Sequence, residues 1–307
     1  MKFAKLKRKS KPLVDIIVGA GRKYGKDDPI RLAGTTSFFT LFAVAPILII
    51  IISVVGFLIG EEPIRQKIYL EINELIGEEG TSVIKNIVQN YQDTERNLIG
   101  SIIGIAIFLL AATTFFNVLQ KSLNYIWRVR AKPKSNLLKS LRDRILSFGM
   151  IISLGFILLV SMIIDAILSF LRDYLEKYFP DVTLFLIEGA NFLFSFAVIT
   201  LIFVIIYKFL PDVKIKWKVT WIGALITAIL FTLGKYLIGF GLANTNIGIM
   251  YGTAGSIVIT LLWVFYSSLI LFFGAEITQQ YAEYYGNEIL PKDYAVKIQI
   301  TEIKEEK

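Results

Sequence analysis

Five ionisable residues fall inside apolar runs of this chain; Lys208 and Glu276 stand at run ends, and the more informative three are Asp165 in SMIIDAILSF, Glu188 in TLFLIEGANFLFS and Lys235 in LFTLGKYLIGF. A charge near the middle of a bilayer costs about 2.5 to 3.5 kcal/mol on insertion scales, so each needs an opposite charge, a wet cavity or a route to the interface. Counted from the ends of their runs, the three lie about 9, 8 and 12 Å below one boundary at 1.5 Å per helical residue. A shared depth predicts an ion-paired cluster of Asp165, Glu188 and Lys235. Asn191 and Ser195 fall on the helical face of Glu188 and extend it as a polar stripe. Such a cluster either locks three helices together or lines a solvated path for a substrate or ion, of which a proton site is one form.

A second polar set gathers toward the other end of the runs. Thr35, Thr36, Ser37 and Thr40 precede Pro46, whose ring removes one helix hydrogen bond and frees the carbonyl of Phe42. Thr113, Asn117, Gln120 or Lys121, and Asn124 recur at steps of four and three, forming one face that leads into Arg128, Arg130, Arg142 and Arg144. Hydroxyls and amides commonly join helices in membranes. Together with the arginines they also predict an inner vestibule for an anionic headgroup or another acidic solute.

What is missing bounds the chemistry as firmly. The chain has no Cys and no His, which removes thiolate and imidazole nucleophiles, their metal sites and disulfides. No GxxxxGK[ST] loop is present to bind a nucleotide, and the acids near the basic segments form no compact ligand motif. The expectation is a protein that is not an enzyme and needs no cofactor or metal.

These residues are carried by long apolar elements. Of 307 residues 55% are hydrophobic and 19% charged, and the mean hydropathy is positive. Six runs are long enough to cross a bilayer as helices: 33–60, 98–120, 145–171, 183–210, 219–243 and 252–276. Of 33 basic residues, 26 fall in residues 1–31, 121–144, 208–218 and the C-terminal tail. The positive-inside rule therefore puts both termini in the cytoplasm, with Trp127, Trp217 and Trp221 expected in the inner aromatic belt. The basic excess reads as topology and attraction to anionic lipid headgroups rather than nucleic-acid binding.

The fold expected is all-α: a polytopic bundle of six transmembrane helices with an N-terminal interfacial helix in the basic segment 1–32 and an outer amphipathic helical hairpin between spans 1 and 2. A membrane domain spans 33–276 and a cytoplasmic tail 277–307. In the outer loop 61–97, Ile64, Ile68, Ile72, Leu75 and Ile76, then Val83, Ile84, Ile87, Val88 and Tyr91, fall at helical spacing around Gly77 and Gly80. That pattern predicts two amphipathic helices resting on the outer face. Gly100 and Gly104, and Gly234, Gly239 and Gly241 around Lys235, predict close helix approach. A homo-oligomer is compatible with these features.

The stretches RLAGTTSFFTLFAVAPILIII, NYIWRVR with SLRDRILSFGMI, YKFLPDVKIKWKVTWIGALITAILFTLGKYLIGF and YGTAGSIVITLLWVFYSSLILFFGAEIT, in that order, resemble the YihY/BrkB family of bacterial inner-membrane proteins over roughly residues 10–285. The resemblance implies six spans and cytoplasmic termini in the inner membrane. It carries over Pro46, Trp127, Arg128, Arg142, Arg144, Pro211, Gly234, Lys235, Gly252, Trp263, Gly274, Ala275 and Glu276 by motif position, with no chemical role attached. Members have borne the label ribonuclease BN, generally regarded as mistaken, and have been linked to virulence, serum resistance and envelope lipid transport. The leading expectation is a transporter or flippase-like protein for a lipid or other acidic envelope component. The alternative is a non-transporting scaffold or envelope-integrity factor. A ribonuclease is disfavoured, since the chain has neither a histidine pair nor clustered carboxylates for metal.

Overall fold

A computed structural model describes residues 12–93, 98–132, 136–176, 180–243, 251 and 254–299. The helices among them are α1 (Pro12–Lys26), α2 (Pro29–Ile59), α3 (Glu61–Asp93), α4 (Leu98–Ile126), α5 (Asn136–Glu176), α6 (Pro180–Phe209), α7 (Trp217–Ala243) and α8 (Gly255–Tyr284). Five are long and apolar enough to cross a membrane: α2, α5, α6, α7 and α8. The remaining expected run, 98–120, lies in α4, a helix of 29 residues in which the side chains of 98–108 are outside the described residues.

Local sequence sets the helix limits. Pro29 opens α2 with its φ already helical and no N–H to orphan, directly after Asp28 in a left-handed turn (φ 51°). Gly60 ends it at φ 89°, a conformation that suits a residue without Cβ, and donates its N–H to the Gly56 carbonyl at 2.7 Å. Pro46 does not end α2; the helix continues through it, buried.

The middle of the bundle is built on α2, which packs against α3, α4, α5 and α8, and on α8, which also packs against α1, α3 and α7. Trp127, Tyr207 and Phe272 are the bulkiest side chains fully buried there. The two buried polar tips are satisfied by α8: the Trp127 indole donates to the Ala275 carbonyl at 3.0 Å, and the Tyr207 hydroxyl to that of Leu271 at 2.7 Å. Helices α7 and α8 approach on small residues, for a Cβ on Gly274 would stand 2.0 Å from Thr227 Oγ1 and one on Gly223 2.0 Å from Thr278 Oγ1. Large apolar side chains such as Phe57, Phe156, Phe170, Leu193 and Leu237 point outward. That inverts the pattern of a water-soluble protein and matches a bundle surrounded by hydrocarbon.

The outer loop does contain two helical limbs, but they do not lie flat. Gly77 (φ 75°, ψ 179°) breaks α3 into a hairpin, whereas Gly80 stays helical. The first limb turns sharply at Gly60 and runs back along α2. Ile64 and Ile68 are buried in the core that holds Ile51, Ile52 and Val55, and Ile72 reaches a cavity whose walls include Val44, Thr40 and Ser37. The expected helical hairpin is present, and what changes is its position: its limbs pack beside α2 and α8 instead of resting on the end of the bundle. The isoleucine stripe is apolar enough to be buried on protein rather than laid on a surface.

The second departure is β structure at the end of the bundle that carries the α4–α5 and α6–α7 connections. β1 (Val129–Ala131) pairs antiparallel with β4 (Ala295–Lys297), and β2 (Val213–Lys214) with β3 (Leu290–Pro291). Residues 290–297 therefore fasten the α4–α5 and α6–α7 connections together. The boundary expected at 276 falls inside α8, and the one at 32 inside α2. The expected tail is, over its described residues, a structural strap. Trp127 leaves the expected aromatic belt for the core, while Trp217 and Trp221 stay exposed. The N-terminal lysines 2–11, residues 244–250 between the last two runs, Gly252, and the neighbours of Gly100, Gly104 and Gly241 lie outside the described residues.

Candidate functional site

The three intramembrane charges are not brought together. Asp165 pairs with Lys67 from the first limb of α3, Nζ to Oδ2 2.6 Å, and Lys67 also holds Glu71 at 2.7 Å. Lys235 is half-buried between α7 and α8, beside Gly234, Phe231, Trp263 and Tyr266. Glu188, Asn191 and Ser195 share a face as expected, but it is an exposed face of α6. The expected cluster is corrected accordingly: a shared depth fixes one coordinate only, and the inserted hairpin supplies a nearer cation for Asp165. Of the glycines around Lys235, Gly234 permits close approach, with Tyr266 2.5 Å from where a Cβ would stand, while Gly239 has nothing within 4 Å.

The inner polar set divides in three. Thr36 and Thr40 donate to carbonyls of their own helix, those of Leu32 and Thr36, at 2.9 and 2.7 Å, and with Pro46 lie on α2. Thr113, Asn117 and Arg144 do share a space. With Leu110, Thr114, Lys121, Lys139 and Asp143 they line a cavity of about 260 Å³ between α4 and α5. Its three cations face one carboxylate. The i, i+4 step from Thr113 to Asn117 to Lys121 turns one side of α4 into its wall.

Arg142 and Arg128 belong elsewhere. Asp212, 2% exposed, accepts hydrogen bonds from Gln120 Nε2 (3.1 Å), Asn124 Nδ2 (2.9 Å) and Arg142 (3.3 Å), and its own N–H donates to Asn124 Oδ1 at 2.8 Å. A buried carboxylate is tolerable only with such a shell. Arg142 also stacks on the Tyr294 ring, its guanidinium carbon 3.6 Å from the centroid, which ties the strap to this knot. Burial, reinforced by the Asp212 charge, holds the Tyr294 phenol well above its ordinary range. Burial lowers the Lys292 ammonium, with Asp212 opposing.

Arg128 sits in a left-handed turn (φ 57°) just beyond α4. Its guanidinium binds the buried Asp27 carboxylate and donates to the Tyr125 carbonyl at 3.1 Å; these contacts hold a conformation that costs a non-glycine residue roughly 1–2 kcal/mol. Glu276, wholly buried, lies 3.6 Å from Lys23 of α1. The α1 helix is further held by the Tyr24 hydroxyl, which donates to the Leu269 carbonyl at 2.8 Å.

Asp212, Asp27 and Glu276 hold this end of the bundle together, yet the sequence singled out only Glu276, by motif position and with no role attached. The available signal was the second phase of the α4 stripe: Gln120 and Asn124 face Asp212, while Thr113, Asn117 and Lys121 face the cavity. Among the described residues no group of three or more carboxylates converges as metal ligands. Chemically, the cavity can hold an anion of headgroup size by charge and by hydroxyl and amide hydrogen bonds.

Comparison with known proteins accords with this architecture. A UPF0761 membrane protein of Psychromonas ingrahamii is 30% identical over 84% of this chain and 85% of its own length. One of Aeromonas salmonicida is 28% identical over 82% and 83%. One of Acinetobacter baylyi is 27% identical over 87% of this chain but 62% of its own length, so the chain spans about three fifths of that relative. No solved structure matches. Residues 20–297 fit the family described as Virulence factor BrkB, and an integral membrane bundle carrying that match over nearly its whole length belongs to the BrkB family.

Proposed function

We propose that this protein moves an amphipathic envelope component with an acidic headgroup across the bacterial inner membrane, and that the cavity between α4 and α5 receives the headgroup from the cytoplasmic side. The observation that carries the reading is the concentration of Lys121, Lys139 and Arg144, with Thr113, Thr114 and Asn117, around about 260 Å³ of space. A phosphate or carboxylate entering it exchanges water for charge-assisted hydrogen bonds. In this reading α4 is the sixth span and both termini are cytoplasmic. Helix α1 lies in the inner interface with its exposed Leu13, Val14, Ile17 and Val18 in lipid. The protein is not an enzyme, and movement draws on a gradient or on none.

The paired state of Asp165 and Asp212 favours a second reading, a scaffold whose charges only lock helices. Reconstituted vesicles separate the two. Full-length protein should equilibrate fluorescent phosphatidylglycerol between leaflets, and the triple variant Lys121→Gln, Lys139→Gln, Arg144→Gln should slow it at least tenfold. No movement of any acidic lipid by the folded wild type would favour the scaffold.

A further inference from the structure

A separate cavity of about 220 Å³ lies between α2, the α3 hairpin and α8, walled by Val44 and Leu48, by Ile72 and Ile84 from the two limbs, and by Trp263 and Val264. Two of the hydroxyls at its edge are spent on the backbone: Ser37 Oγ donates to the Leu261 carbonyl at 2.8 Å and Thr40 Oγ1 to that of Thr36 at 2.7 Å; the third, on Thr260, is buried. Ordered water needs two to four polar partners, and an apolar cavity of roughly 150 Å³ stays dry and takes up benzene. This one is larger and apolar, and interiors packed to crystal density do not ordinarily leave such a space open.

We infer that the cavity is a binding site for one acyl chain of a membrane phospholipid. The surrounding medium favours that occupant. The outward faces of the spans are apolar, so hydrocarbon is the solvent at this depth, and α2 and α8, two long helices that pack on each other, wall the space with apolar side chains. The third wall is the hairpin, joined to α2 through Gly60 (φ 89°) and folded at Gly77 (φ 75°). Ile72 and Ile84, one on each limb, close over the space. The site stands whether or not the protein moves lipid, because it requires only hydrocarbon contact.

The test uses the full chain in phosphatidylglycerol vesicles carrying a trace of the same lipid with a diazirine in the middle of one acyl chain. After irradiation, adducts should map to residues 37–48, 72–84 and 260–264. Val264→Trp, which fills the space, should lower those adducts at least fivefold while leaving adducts at the outward Phe57 and Phe156 unchanged. If Val264→Trp aggregates, Val44→Phe serves in its place. Wild-type adducts confined to outward side chains, or cavity adducts that stay within twofold of wild type in the folded filled variant, would overturn the assignment.

Discussion

Lys67 Nζ lies 2.6 Å from Asp165 Oδ2, joining the inserted hairpin to α5. The Lys67 side chain is 20% exposed and that of Asp165 38%, so the pair contributes about 1 kcal/mol at most. Lys67→Met and Asp165→Asn should each lower thermal stability in detergent slightly, and the double variant little more than either single one. Charge exchange, Lys67→Asp with Asp165→Lys, should recover most of the loss. A double-mutant cycle with no coupling would remove the pair as a structural contact.

Asp212 should be the most sensitive of the buried acids. Asp212→Ala strands Arg142, Gln120 and Asn124 without their shared acceptor and should cost about 3–5 kcal/mol, seen as loss of the monodisperse peak in size-exclusion chromatography or a large fall in melting temperature. Asp212→Asn should be intermediate, because its amide nitrogen opposes the Gln120 or Asn124 donor.

Glycine positions offer a test of the α7–α8 packing. Gly274→Ala places a Cβ 2.0 Å from Thr227 Oγ1 and 2.6 Å from the Tyr207 hydroxyl, and should destabilise by about 1–3 kcal/mol. Gly149→Ala, with nothing within 4 Å, should be neutral or slightly stabilising, since alanine is the better helix former. Equal melting temperatures for the two variants would contradict the close approach.

Removal of the strap should loosen the α4–α5 and α6–α7 connections. A chain ending at residue 287 loses both β ladders and the Tyr294 ring over Arg142, and protease should then cleave within 129–132 and 212–216 at least tenfold faster. Tyr294→Ala should produce a smaller increase at the same places; unchanged cleavage in both would show that the strap does not brace these loops.

The spans were legible because a bilayer demands long apolar helices whatever their neighbours, and five helices long and apolar enough to cross emerge close to where hydropathy puts them. The break at Gly77 was legible too, as were the wall residues Thr113, Asn117 and Arg144, because helical periodicity fixes a face. Periodicity does not say what a face meets. Gln120 or Lys121 could each continue the stripe, and only the packing of Asp212 against α4 separates Gln120 from Lys121.

The sequence by itself determined which segments are membrane-length helices, that the segment after the first run breaks near Gly77, and that charged side chains inside apolar runs would need partners. Tertiary structure alone decided who the partners are. Asp165 meets Lys67 because a hairpin 33 residues long folds back beside α2, and Arg142 meets Asp212 and Tyr294 because the C-terminal strap crosses two distant loops. Insertion energy acts on each helix separately and registers depth, whereas pairing depends on the lateral arrangement of helices, which short-range packing among residues far apart in the chain selects.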